Sequence, residues 1–465
     1  MFAVIRQTWA LLFGMFLLQL GNGMQGIVLG VRGDIEDFGN TTMGFVMAGY
    51  FLGFIFGAQI TPLLLRRVGH VRVFAAFAAI TSAALILYAS LVHPLAWVAM
   101  RVVVGIGMAG AYVVAESWLN EGTPNEQRGQ ALSAYLIMQM LGIVIAQSFI
   151  NVADPAGYDL FVIMAVAVSL AVVPILLSAS PAPVFETTRR MGLATLYRSS
   201  PLGCVGTLLL GGVFACIFGM ASVYGTQSGL TAAEISIFIS TVYVGGLALQ
   251  YPIGWISDRV DRRWLIALTA LLGALAALVA LIPGLPFPAL AAAGFVIGGI
   301  ANPLYSLLIA HTNDFLERED MASASGGLIL LNGVGATAMP IPIGYAMDMA
   351  GAPAFMVAIA GLMAMISAYA VFRMTVRPAT PVDETMPVAQ IAMGTGPVAT
   401  TALQEAVYDQ YEADQEAEAA EVDELLATAE SGSERGGDPW DGRGIRPPAS
   451  TPVSTSVPTK VEPAE

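Results

Sequence analysis

The sequence predicts an all-α, polytopic membrane protein, with 12 transmembrane helices in two six-helix pseudo-repeat bundles and a disordered acidic C-terminal tail. Three observations lead there. First, the 465 residues are 56% apolar, with 49 glycines and a mean hydropathy of +0.71. Apolar residues plus glycine reach about 67% of the chain, against roughly 45–50% in soluble domains. Second, charge is scarce and uneven. Residues 1–377 hold 16 basic and 17 acidic side chains, net −1, whereas 378–465 hold 4 and 17, net −13. Third, twelve apolar stretches of about 20 residues, the length that crosses hydrocarbon, lie between Thr8 and Met374.

Taken in order, the stretches fall near 8–31, 42–64, 73–92, 95–118, 129–151, 158–179, 201–224, 232–256, 264–283, 288–310, 322–346 and 352–374. The first exceeds a secretory h-region and lacks a small-residue cleavage site, so it reads as a retained helix. Trp9, Trp97, Trp118, Trp255 and Trp264 fall near span ends, where the amphipathic indole prefers the interface. Basic side chains resist translocation. Placing both termini in the cytoplasm gives that side fourteen arginines, among them Arg6, Arg66, Arg67, Arg128, Arg189, Arg190, Arg259 and Arg377, and leaves Arg32 alone opposite. The expected setting is the bacterial cytoplasmic (inner) membrane. Cys204 and Cys216 sit twelve residues apart in one run, about 18 Å along a helix, too far to bridge.

The longest internal connection splits the spans six and six. The expected organisation is an N-terminal bundle over 1–180, a cytoplasmic linker over 181–200, a C-terminal bundle over 201–377 and the tail over 378–465. Sliding one half on the other by 193 residues superposes Gly105 on Gly298, Tyr112 on Tyr305, Asn120 on Asn313 and Glu121 on Asp314. Repeated bundles commonly place a substrate site at the repeat interface near the midplane. The tail is rich in Pro, Thr, Ala, Glu and Asp, with an acidic, helix-compatible piece from Leu403 to Glu430. Such a composition buries too little apolar surface to order itself. A solvated tail and a docking or regulatory tail are both open readings.

The loop after span eight reads Gly254-Trp-Ile-Ser-Asp258-Arg259-Val-Asp261-Arg262-Arg263. It resembles the Gly-x-x-x-Asp-Arg signature, with its basic cluster, of the major facilitator superfamily. With the twelve spans, the six-plus-six split and both ends inside, the resemblance covers about 80% of the chain. It implies a secondary transporter in which Asp258 latches the second half to the start of span five, where a helix N-terminus favours an anion, or to Arg128. Span two ends instead on Arg66 and Arg67, with Arg66 where the family pattern has its acid. Because span eleven opens after Glu317 with Glu319 and Asp320, the first latch is expected with its signs inverted. Arg101 and Gly105 resemble the family's Arg-x-x-x-Gly element on span four, tied in many members to proton coupling. The Glu116-Ser-Trp-Leu-Asn120 string and the Gly69-His70-Val-Arg72 loop resemble the YcaD-like bacterial branch.

Two readings stay open for Arg101. An arginine deep in hydrocarbon is costly and usually functional. Yet Arg101 lies four residues past Trp97, roughly 6 Å along the axis, within snorkelling reach of the interface. Were it buried, Asp34, Glu36 and Asp37 are the expected partners. Glu116 is either an interfacial acid satisfied by water or a nearby arginine, or a gating and proton-linked group. Polar side chains at mid-span face a cavity or another helix. Since the family lines its central path with spans one, four, seven and ten, the resemblance points to Gln19, Asn22, Gln25, Tyr112, Asn302 and Tyr305 as cavity residues.

No carboxylate or histidine sits at any span's centre, which disfavours a strongly charged substrate. The expected function is alternating-access movement of a small neutral, zwitterionic or amphiphilic solute, with protons as a candidate coupling ion. A transport-inactive sensor or scaffold docking partners through the acidic tail is the alternative. The sequence shows no phosphate loop or metal-ligand cluster, so neither an enzyme nor a cofactor or metal site is expected. There is no basic patch for nucleic acid. The expected partners are the lipid bilayer and the solute, and the expected state is a monomer.

Overall fold

The structure is a computed structural model and describes residues 2–177, 191–377, 387–391 and 396–435. The linker residues 181–190, with Arg189 and Arg190, and the tail residues 378–386, 392–395 and 436–465 lie outside the described residues. Two compact units result, residues 1–411 and 412–465, and of the second the described part, 412–435, is helical.

In the first unit α1 (Phe2–Ile35), α2 (Asn40–Val68), α3 (His70–Ser90), α4 (Pro94–Gly122), α5 (Asn125–Ser148) and α6 (Asp159–Leu177) form the first six spans. A short α7 (Leu193–Ser199) leads into span seven, which is α8 (Pro201–Ala215), a π-helical turn over Cys216–Met220 and α9 (Ala221–Gln227). The remaining spans are α10 (Ala232–Ser257), α11 (Arg262–Val279), α12 (Phe287–Asn313), α13 (Arg318–Ala338) continued by α14 (Pro340–Ala350), and α15 (Pro353–Val376). The last element is α16 (Pro397–Arg435). All twelve predicted apolar runs are thus helices long and apolar enough to cross a membrane.

Local chemistry sets the joints. Proline opens α4, α8, α12, α14 and α15, where a missing N–H costs nothing and φ is already helical. Pro340 also divides span eleven, because its ring cannot continue the preceding hydrogen-bond ladder. A capping box starts α10: Thr231 Oγ1 accepts from Glu234 N at 3.2 Å while Thr231 N donates to Glu234 Oε2 at 2.9 Å. The α2–α3 turn passes through Gly69 at φ +82°, a left-handed position that glycine alone reaches without cost.

The two halves repeat each other's packing. In the first, α2 packs on α4, α1 on α5 and α6, and α3 on α4 and α6; in the second, α10 packs on α12, α8 on α13 and α15, and α11 on α12 and α15. The 193-residue offset marks a matching pair of close crossings. A Cβ at Gly105 would lie 2.1 Å from the Tyr50 carbonyl oxygen, and one at Gly298 would lie 2.1 Å from that of Val242. Only glycine permits backbones so close, the small-residue packing that substitutes for the hydrophobic effect between helices in lipid.

The halves meet through α2 with α13 and α14, α1 with α9, and α5 with α10. One end of this seam, the arginine-rich end, carries Arg66, Arg67, Arg259 and Arg262. At the opposite end the Asp348 carboxylate of α14 accepts Asn40 N and Thr41 N, each at 2.9 Å, and Thr41 Oγ1 at 2.5 Å. A carboxylate from one half therefore satisfies amides at the start of a helix in the other, the arrangement a helix N-terminus favours. Gln227 Nε2 adds a bond to Asp34 Oδ1 at 3.0 Å and Ser222 Oγ one to Gly26 O at 2.8 Å. Arg32, also at this end, pairs with Glu36 at 2.6 Å and donates to the Pro155 carbonyl at 3.3 Å.

Candidate functional site

A cavity of about 960 Å³ lies in the seam, lined from both halves. Gln19, Asn22, Tyr112, Asn302 and Tyr305 line it as the sequence implied, together with Arg101, Tyr50, Phe54, Phe218, Tyr243 and Asn332. Tyr112 Oη donates to Gln19 Oε1 at 2.6 Å, and Gln19 Nε2 reaches Gln139 Oε1 at 3.4 Å. Asn22 Nδ2 donates to Tyr50 Oη at 3.4 Å. Gln25 is not on the wall. It is fully buried one layer behind, where its Oε1 accepts from Arg101 Nη1.

Arg101 is 4% exposed, which decides against snorkelling. Its other contacts are Met47 Sδ, 3.0 Å from Nη2, and the Tyr50 ring, whose centroid lies 5.1 Å from the guanidinium carbon. The expectation of an acidic partner after span one is corrected. Asp34 accepts from Gln227 and Glu36 pairs with Arg32, and among the described residues no carboxylate forms an ion pair with Arg101. The cause is reach: Asp34 and Glu36 belong to the closed seam beyond the end of the cavity. Arg101 Nε, Gln139 Nε2 and Asn302 Oδ1 are buried and find no protein partner.

Glu116 is fully buried too, and neither an arginine nor the interface satisfies it, contrary to the simpler expectation. Tyr135 Oη donates to Oε1 at 3.2 Å, Gly396 N to Oε1 at 2.6 Å and Ala399 N to Oε2 at 3.2 Å. Its partners are thus largely backbone amides from the segment after residue 377, a role no spacing within span four could signal.

Neither expected latch is closed here. Asp258 accepts from Val388 N at 3.0 Å and has Arg262 Nη2 at 3.7 Å, while Arg128 lies 4.0 Å from Glu405. Arg259, in the turn just past α10, stacks on Trp255 of that helix, 3.9 Å from the ring centroid. No ion pair joins Arg66 or Arg67 to Glu319 or Asp320 among the described residues. Glu319 and Asp320 instead sit exposed in the first turn of α13, and Arg66 and Arg67 in the last turn of α2, positions each helix dipole favours. The other end differs, for there Asp348 holds the halves together.

Each half is nonetheless stapled within itself at the arginine-rich end. Arg262 and Asp314, both 3% exposed, form an ion pair between α11 and the end of α12. Burial pushes the Asp314 carboxyl up, with Arg262 pulling against it. At the equivalent place in the first half His70 Nε2 meets Ser117 Oγ at 3.0 Å, and Ser117 donates to Glu121 Oε1 at 3.0 Å.

The sequence profile of the Major Facilitator Superfamily matches residues 11–224 and 203–411. The chain belongs to that superfamily. The MFS-type transporter YcaD of Escherichia fergusonii is 22% identical over 340 residues, 72% of this chain and 87% of that protein. A protein of Enterobacter sp. strain 638 is 25% identical over 341 residues, with the same shares of 72% and 87%. These relatives place the transporter in the YcaD-like branch. Among solved structures, a mutant of the nucleoside transporter NupG superposes with a TM-score of 0.67 at 14% identity, covering 79% of this chain and 99% of that one. A bacterial homologue of the lysosomal transporter Spinster superposes at 0.63 with 13% identity, covering 87% and 98%. At such identities the likeness concerns the fold.

Tyr50, Phe54, Tyr243 and Asn332 are cavity residues the family pattern did not supply. Asn332 and Tyr243 carried a signal, being polar side chains at mid-span. The π-helical turn that turns Phe218 onto Tyr243, ring centroids 4.8 Å apart, carried none; such turns recur at functional sites.

Proposed function

We propose that the chain is an alternating-access secondary transporter whose solute is a small zwitterion, its acidic group bound by Arg101. The observation that carries the reading is a buried guanidinium on a cavity wall with no carboxylate paired to it among the described residues. An uncompensated cation in a low-dielectric site is expensive, and a solute carboxylate supplies the missing charge with bidentate geometry. Opposite charge on the same solute finds the faces of Tyr50, Tyr112 and Tyr243, which attract cations. The unpartnered amide oxygen of Asn302, on the cavity wall, offers an acceptor for its polar body.

The arginine bias makes the arginine-rich end cytoplasmic, so this state is inward-facing, and the proposed unit is a monomer. Asp258 and the Arg66/Arg67 pair close their latches in the opposite state, each contributing about 0.2–1 kcal/mol as exposed pairs. The scaffold alternative gains nothing from Val388, Ile391, Ala399, Ala402, Leu403 and Tyr408, which this chain itself already covers.

The test is flux in proteoliposomes, comparing amino-acid-like zwitterions with their amide or ester analogues, with and without a pH gradient. Losing hydrogen bonds to a charged group costs about 1.5–3 kcal/mol, so Arg101→Gln should raise the zwitterion's KM by roughly 10- to 150-fold and leave analogues untouched. Equal transport of acids and esters would contradict the assignment. The gradient arm reads coupling, for which Glu116, buried against Tyr135, is the candidate proton group.

A further inference from the structure

The acidity of residues 378–465 conceals a local exception. Residues 387–404 carry no charged side chain, and the described part of 387–411 is packed into the arginine-rich end of the seam. Val388, Ile391, Ala399, Ala402, Leu403 and Tyr408 are all buried.

We propose that the arginine-rich mouth of the cavity is a peptide-binding site whose resident ligand is this chain's own segment 387–411. The regulatory consequence, a tethered plug in the solute's path, rests on the transport reading above.

The seat is built from both halves. From the second half, Ser306 Oγ accepts from Ile391 N at 3.0 Å and lies 3.1 Å from Ile391 O, which Gln250 Nε2 also approaches at 3.3 Å. Asp258 accepts from Val388 N, and Ser325 Oγ donates to Gln404 Oε1 at 2.9 Å. From the first half, Glu116 takes the amides of Gly396 and Ala399 at the start of α16. A carboxylate at a helix N-terminus gains from both the free N–H groups and the dipole. The seat is selective as well as adhesive. A Cβ at position 396 would stand 2.3 Å from Glu116 Oε2, so a side chain there must push the Glu116 carboxylate aside.

Occupancy has two physical consequences. Val398, Thr401 and Glu405 form part of the cavity wall, so the segment flanks the route of a solute moving between the cavity and this end. The segment also ties Glu116 in one half to Ser306 and Ser325 in the other while the two stand apart, so the mouth cannot close around it. Its departure would strand the Glu116 carboxylate without amide partners, which makes release costly.

The experiment uses the full-length chain, solubilised and purified, with Cys204 and Cys216 replaced by alanine and the cavity-lining Ile329→Cys as reporter. The readout is its rate of modification by a hydrophilic maleimide. Ending the chain after residue 386, and separately introducing Gly396→Val into the full chain, should each speed labelling by about tenfold or more, because access then needs no local opening. A synthetic peptide of residues 387–411 should restore protection to the shortened chain. Equal rates in all three proteins would overturn the proposal. Acceleration by truncation but not by Gly396→Val would overturn the Glu116 seat. Gly396→Val changes only the plug, so it reports even where truncation harms folding. Labelling needs no solute, so failure of the zwitterion assay and failure of the plug remain distinguishable.

Discussion

At the end opposite the arginines, the two halves are joined to each other: Asp348 of α14 holds the start of α2. At the arginine-rich end each half is joined to itself, by Arg262 with Asp314 in one and by His70, Ser117 and Glu121 in the other, and, among the described residues, 387–391 and 396–411 bridge them. Bonds that must survive a conformational cycle lie within a half, and bonds that must break lie between halves. The halves can then rock as rigid bodies, the motion expected of repeated bundles around a fixed central site.

Breaking an internal staple should therefore cost stability, whereas breaking a cross-half bond should move populations. Arg262→Ala leaves Asp314 buried without its partner, and one-sided loss of a buried pair costs about 3–5 kcal/mol. Thermal unfolding in detergent should show a clear fall in midpoint; an unchanged midpoint would mean the staple is not structural. Asp348→Ala removes a helix cap that contributes about 0.5–2 kcal/mol. It should leave that midpoint close to wild type and shift the balance between states by roughly 2- to 30-fold. Ser117→Ala breaks the weaker relay of neutral and shared bonds, worth about 1 kcal/mol, and should lower the midpoint less than Arg262→Ala does.

The smallest effect concerns pH. Burial pushes the Asp261 carboxyl up, but hydrogen bonds from Arg263 outweigh it and hold it below the usual range. A carboxyl depressed in the folded state stabilises above its unfolded value, about 3.9, and loses that contribution as pH falls through its folded value. Asp261→Asn should thus narrow the gap in midpoint between about pH 7 and about pH 2.5. A gap as wide as wild type would show that Asp261 takes no part.

The helices were legible because hydrocarbon imposes length and apolarity, and the repeat because Gly105 and Gly298 must both admit a neighbouring backbone. Gln19, Asn22 and Asn302 were legible because an amide at mid-span has to face something polar. Tyr50 was not, since no polar neighbour at mid-span marks its face, whereas Tyr243 shares one with Ser236, Ser240 and Gln250. Counting from Trp97 gave the axial depth of Arg101 but not its direction around the helix, and direction decides its partners. The seat of Ile391 and Gly396 was hidden by averaging: over 378–465 acidity dominates, although 387–404 has no charge. The latches depend on which state the chain occupies, which no pattern of residues encodes.

The rocking claim is tested most directly by spin labels at both ends of the seam, one pair at Ile35 and Met349, the other at Arg67 and Glu319, measured with and without Asp348→Ala. The account predicts opposite changes on substitution: the Ile35–Met349 distances lengthen as the Arg67–Glu319 distances shorten. Lengthening at both ends, or movement at one end alone, would contradict it.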